Sequence, residues 1–138
     1  MADFTASTAL RNTLGVAAAG FYYWVTLHDA TGGFVAGDTY SAGVRGELPT
    51  DFGYTRGDKA VSLSNTNGVL DGADAVWTAA GGSIGPASYA ALWVSATNDI
   101  TGAGLVSVKD NSGSPQTATD GQTMTYSIVD PITIPTPA

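Results

Sequence analysis

His28 is the only histidine in the chain, and Asp29 follows it directly. An imidazole beside a carboxylate is the material of general-base chemistry, and any of eleven serines could complete a Ser-His-Asp set. The surrounding pattern argues against that use. In GFYYWVTLHD, residues 20 to 29, Phe21, Tyr23, Val25 and Leu27 alternate with Tyr22, Trp24, Thr26 and His28. Period-two alternation of aromatic and β-branched residues predicts a strand, on which neighbours point to opposite faces. His28 and Asp29 then diverge. Ser83 in GGSIG, residues 81–85, has GxSxG spacing, but no parallel βα unit surrounds it to make a nucleophile elbow. The sequence predicts His28 at the solvent side of a strand end, and no catalytic residue.

Metal and phosphate chemistry fare no better. Zinc needs several converging His, Cys or carboxylate ligands, and the chain has one His and no Cys. Calcium takes loop oxygens, which Asp71, Asp74, Asp110, Asn111 and Asp120 could offer. None of them follows DxDxDG spacing, and Asx turns account for them without an ion. GGSIGPAS lacks the GK[ST] ending of a phosphate loop. The expectation is no metal and no cofactor.

Aromatic chemistry remains open. Tyr22 and Trp24 fall on the strand face opposite the apolar set, and Trp93 sits in a second strand candidate. Exposed aromatics on a sheet can stack on sugars or bury at a subunit contact. The other reading is that an N-terminal helix covers them.

The elements that must position these residues are strands. Charged residues are 12% of the chain, well below the usual level of about a quarter, while hydrophobic residues reach 43% and glycine numbers 18. All acidic residues but Glu47 are aspartate, which favours turns over helices. The net charge of −7, with five scattered basic residues, offers no basic patch for nucleic acid. No run is long and apolar enough to cross a membrane, and the first ten residues do not read as a signal peptide. Synthesis in the cytoplasm of the producing cell is expected.

Residues 3–19 form the one helix candidate, capped by Asp3 or Thr5. Strands are predicted at 21–28, weakly at 44–48, and at 59–64, 75–78, 89–96, 105–109 and 123–130. A short edge strand is expected within 29–43. Between them SNTNGVLDGAD, AAGGSIGPAS, TNDITGAG and DNSGSPQTATDGQ read as turn-rich loops. The fold class is mainly β: a single β-sandwich, jelly-roll or immunoglobulin-like, over residues 1–130, with a short N-terminal helix. Residues 131–138, PITIPTPA, form an extended proline-rich tail in which Ile132, Ile134 and Pro135 are candidate assembly contacts.

The order of these features resembles small tailed-bacteriophage virion proteins of the tail-fibre, minor structural or decoration type. The similarity runs from about Leu10 to Val129 through FYYWVTLHDATGG, YSAGVRGELPTDFGYTRGDKAVSLS, VWTAAGGSIGPASYAALWVSATNDITGAGLVSVKD and TATDGQTMTYSIVD. The matching positions are Leu27, His28, Tyr54, Arg56, Trp77, Tyr89 and Gly121. The long aromatic run and the proline-rich tail depart from that pattern. The resemblance implies a β-sandwich without enzymatic activity and a place on the virion, on the capsid surface or on the tail. The expected partners are other virion proteins and further copies of the chain, with neither nucleic acid nor membrane. The alternative is a carbohydrate-binding module that recognises a surface glycan through Tyr22, Trp24 and Trp93.

Overall fold

A computed structural model describes residues 17–67 and 69–129, with the side chain of Val129 excepted. Within them nine strands follow in order: β1 (Tyr22–His28), β2 (Ala60–Val61), β3 (Leu63–Thr66), β4 (Val69–Thr78), β5 (Ile84–Ala87), β6 (Tyr89–Ser95), β7 (Gly104–Asp110), β8 (Gln116–Ala118) and β9 (Thr123–Val129). They make three antiparallel sheets, ordered β2-β1-β6-β7, β3-β4-β9 and β5-β8.

The first two sheets bury one face each against the other, as a β-sandwich does. Tyr23, Val25 and Leu27 of β1 oppose Val94, Leu92 and Ala90 of β6. Together with Ala75 and Trp77 of β4 and Met124, Tyr126 and Ile128 of β9, the buried members of this set form one core. Residues paired directly across antiparallel strands share a face, so the register itself explains which side chains meet. The ribbon of β5 and β8 adds Ile84, Ala87 and Ala118 to this core.

The chain changes sheets within the segment read as one strand at 59–64. Val61 pairs with Tyr23 in the first sheet, and Leu63 pairs with Gly72 in the second. A side chain at Gly72 would come within 2.9 Å of the Ser62 carbonyl, so the crossing needs glycine there.

Several loop expectations give way to strands. SNTNGVLDGAD holds the β3–β4 hairpin, with Asn67 at φ 52. Asn accepts that left-handed conformation, and Asn-Gly is a hairpin signal. β5 lies in GGSIGPAS and β8 in DNSGSPQTATDGQ. In the other direction, the weak strand at 44–48 opens as a 3-10 turn, Val44–Gly46. Gly43, Arg45 and Gly46 all have positive φ, which no strand permits. The edge strand expected in 29–43 reduces to one bridge, Thr39 with Gly104. Of the predicted helix only the turn at 17–19 lies among the described residues, and Tyr23 Oη donates to Ala18 O at 2.5 Å. Phe21, expected in the core, is 46% exposed.

Candidate functional site

β1 is buried on both faces. Trp24, Thr26 and His28, the amphipathic set, pair with Trp93, Ala91 and Tyr89 on the outer face of the first sheet. That face is covered: Trp24 is 5% exposed and Trp93 0%, and His28, expected at the solvent side, is 0% exposed. Among the described residues the cover comes from loop segments and β7, and the predicted helix lies outside them apart from residues 17–19. Trp24 and Trp93 pack with Phe34, Tyr40, Val44, Ile100, Ala103 and Leu105, from the segment before the 3-10 turn, the turn's first residue, the approach to β7 and β7 itself. Tyr22 alone of the three aromatic candidates keeps an exposed ring, at 45%. Trp24 and Trp93 are therefore packing residues with no free face for a sugar. Ile132, Ile134 and Pro135 lie outside the described residues.

Beneath that cover lies a polar network. Trp93 Nε1 donates to Thr26 Oγ1 at 2.7 Å, and Thr26 Oγ1 is 2.6 Å from His28 Nε2. His28 Nδ1 is 3.1 Å from the Arg45 carbonyl, which can only accept. Nδ1 therefore carries a proton. Burial holds the imidazole below its usual pKa, outweighing the raising effects of Arg45 O, Glu47 and Asp29. The neutral ring then accepts from the Thr26 hydroxyl at Nε2. Every donor in the chain from Trp93 to Arg45 O has its acceptor. This arrangement orients and satisfies; it leaves His28 no free nitrogen for a general base.

Glu47 is the second centre, bridged to His28 through the backbone and 3% exposed. Its Oε2 accepts from Tyr40 Oη at 2.8 Å and Gly43 N at 3.0 Å, and its Oε1 from Tyr54 Oη at 2.9 Å and Gly57 N at 3.1 Å. Tyr54 Oη in turn accepts from Leu27 N at 3.1 Å. The Arg56 side chain donates to the carbonyls of Leu48 and Glu47. Burial, then Glu47 itself, pushes both tyrosine hydroxyls well above the ordinary phenol range. One carboxylate thus gathers four donors from residues 40–57, and Tyr54 links this cluster to β1 at Leu27 N. This residue went unmarked in the sequence beyond being the only Glu. The available signal was its place between Tyr40 and Tyr54, seven residues away on each side.

Of the concavities among the described residues, two are large and open. The first is a cleft of about 400 Å³ along the open side of the sandwich, between edge strands β7 and β9. Its lining includes Val25, Ala90 and Leu92 of the first sheet and Tyr126 and Ile128 of the second. A bulge in the β6–β7 pairing shapes it. Leu105 opposes Trp93, but Ser107 opposes Leu92 and Lys109 opposes Ala90. Val106 is the extra residue. The shift turns Ser107 and Lys109 to the core side, where a regular edge strand would place large apolar residues. The space they leave is the cleft.

The second is an open dish on the outer face, of about 420 Å³, lined by Phe34, Val35, Tyr89, Leu105, Val108 and Asp110 among others. The Phe34 and Tyr89 rings meet edge to face at 6.0 Å. The Ser112 side chain and then Ser112 N, which donates to Asp110, hold its carboxyl below the ordinary range.

The aspartates weighed for calcium do not converge. Asp120 caps Gly81 N, Asn111 donates to Tyr126 Oη, and Asp110 closes its own turn. No group of three or more potential metal ligands occurs among the described residues. Likewise, no helix among them is long and apolar enough to cross a membrane.

Comparisons with known protein families, with curated proteins and with solved structures each return no match to this chain.

Proposed function

We propose that this chain is a non-enzymatic structural subunit of a bacteriophage virion, a β-sandwich that forms homo-oligomers and contacts capsid or tail subunits. The observation that carries the assembly part is the open side of the sandwich. Among the described residues two edge strands there flank an apolar cleft, and an edge strand without a partner is a template for another chain. The residues with the most chemical potential, His28 and Glu47, are meanwhile spent on internal hydrogen bonds. The virion part rests on the sequence resemblance between Leu10 and Val129. Immunogold electron microscopy of particles from the source, with antibody to this chain, tests it. Label over heads indicates a capsid decoration role, and label on the tail a fibre or tail-tip role. Particles free of label overturn the virion reading.

A second reading is a carbohydrate-binding module. Of Tyr22, Trp24 and Trp93 only Tyr22 is exposed, but the Phe34–Tyr89–Asp110 dish supplies an apolar wall beside a carboxylate. A glycan array with the wild type and Tyr89→Ala tests it; no binding by the wild type ends it.

A further inference from the structure

The cleft between β7 and β9 is unusual in what it lacks. The bulge at Val106 places Ser107 and Lys109 over Leu92 and Ala90, so a cleft lined by apolar residues of both sheets runs between the two edges. Lys109 is exposed at its lip, and its ammonium has no ion-pair or hydrogen-bond partner among the described residues. The other wall is the end of β9: Tyr126, Ser127 and Ile128.

The sequence that follows β9 is complementary to this cleft. DPITIPTPA, residues 130–138, alternates Ile132 and Ile134 with Thr133, and Asp130 is its only charged residue. Two isoleucines two positions apart project to one side of an extended segment. They suit the floor of Val25, Leu92 and Ile128, while Asp130 can pair with Lys109.

The same sequence argues about which copy's cleft is filled. To lie beside its own β9 the segment must reverse directly after Val129. A two-residue hairpin there would put Asp130 and Pro131 at its centre. The hairpin turns that match strand twist need positive φ, which proline does not reach, and proline is disfavoured at the third position of a type I turn. Leaving in the direction of β9, the nine residues span up to about 30 Å, enough to cross to a neighbouring subunit.

We propose that residues 130–136 of one copy dock in the β7/β9 cleft of a second copy, with Ile132 and Ile134 on its apolar floor and Asp130 beside Lys109. This rests on the assembly reading above and names its contact: strand or strand-like addition to an open sandwich edge. An inward-facing lysine on an edge strand also discourages indiscriminate pairing, so a partner carrying a matching acid is favoured over any other strand.

The chain contains no cysteine, which makes the contact directly trappable. Full-length Ser107→Cys and Ile134→Cys chains are mixed and oxidised, with Thr125→Cys, on the exposed outer face of β9, as the control acceptor. The expected result is an intermolecular disulfide for the Ser107→Cys mixture and none for the control. A Ser107→Cys/Ile134→Cys chain then forms covalent multimers on oxidation. A monomeric product without free thiols overturns the proposal, because the segment then docks in its own cleft. Light scattering of the wild type separates this inference from the reading beneath it. An oligomer whose mass is unchanged by Ile132→Asp/Ile134→Asp, with no trap formed, leaves assembly standing and removes the tail from it. A wild type that runs at its monomer mass of 13.9 kDa overturns both. If the proposal holds, the double Asp variant falls to that monomer mass while its circular dichroism is unchanged.

Discussion

Trp93 donates its indole N–H to Oγ1 of Thr26 across a single strand pair, at 2.7 Å and out of contact with water. The threonine is the hinge of the relay, because the same oxygen accepts from Trp93 and gives its own proton to His28. Thr26→Val keeps shape and removes that oxygen. The indole N–H and the imidazole Nε2 then lose their partners in a dry site, at about 1–3 kcal/mol each. We expect a loss of about 2–4 kcal/mol in urea unfolding, with the slope unchanged. A loss under 1 kcal/mol would mean that water reaches the pair.

Glu47 and Tyr54 form a coupled unit, since the tyrosine hydroxyl both donates to the carboxylate and accepts from Leu27 N. Glu47→Gln replaces one acceptor oxygen by a donor that faces either Tyr40 and Gly43 or Tyr54 and Gly57. The expected cost is about 2–3 kcal/mol, in the range for hydrogen bonds to charged groups. Tyr54→Phe is destabilising alone but costs less on the Glu47→Gln background. A double-mutant cycle should return a coupling of at least about 1 kcal/mol. Strict additivity would show that the two residues act separately.

Stability should fall at both ends of the pH range, for separate reasons. Burial lowers the His28 pKa, so below the unfolded value of about 6.5 the unfolded chain binds more protons than the folded one. The contribution of neutral His28 is complete above that value and declines as pH falls through 6.5 toward the folded pKa. At the alkaline end Tyr40 and Tyr54 have raised values. The unfolded chain loses phenolic protons first, and stability declines as pH rises above about 10. Melting curves between pH 4 and 11 check both. His28→Gln should flatten the segment between pH 6.5 and 5, leaving the further acid loss below about 4 that Asp38 and Asp110, with lowered values, contribute.

Strand periodicity made much of the sandwich legible. YYWVTLH, YAALWVS and TMTYSIV are strands in the structure, because alternation and β-branched content act within a few residues. The failures concern what lies on top of a strand. Alternation marked Trp24 and His28 as the outer face of β1, which is right, but a face is solvent-exposed only if nothing returns to cover it. The cover is assembled from Phe34, Tyr40 and Ile100, residues in Gly- and Asp-rich segments that carry no periodic signal. The same holds for the cleft. It exists because of one extra residue at Val106, and a bulge flips the faces of Ser107 and Lys109 without any change in composition.

The joint between the cover and β1 is set by one glycine. Gly46 has φ 71, and Asp29 N donates to its carbonyl at 2.9 Å. A Cβ at this position would overlap Asp29 Oδ1 and Thr31 Oγ1, the two atoms that close the turn after β1. Gly46→Ala therefore meets two costs: a left-handed conformation forced on a side chain, and displacement of the Asp29–Thr31 turn. Gly37 isolates the first cost, for its φ is 88 and nothing lies near where its Cβ would be. Gly37→Ala should cost about 1 kcal/mol, and Gly46→Ala about 3 kcal/mol. In a chain of 138 residues this separates their melting temperatures by several degrees. Equal losses in the two variants would show that the turn after β1 yields freely, and that Glu47 and His28 hold the cover without it.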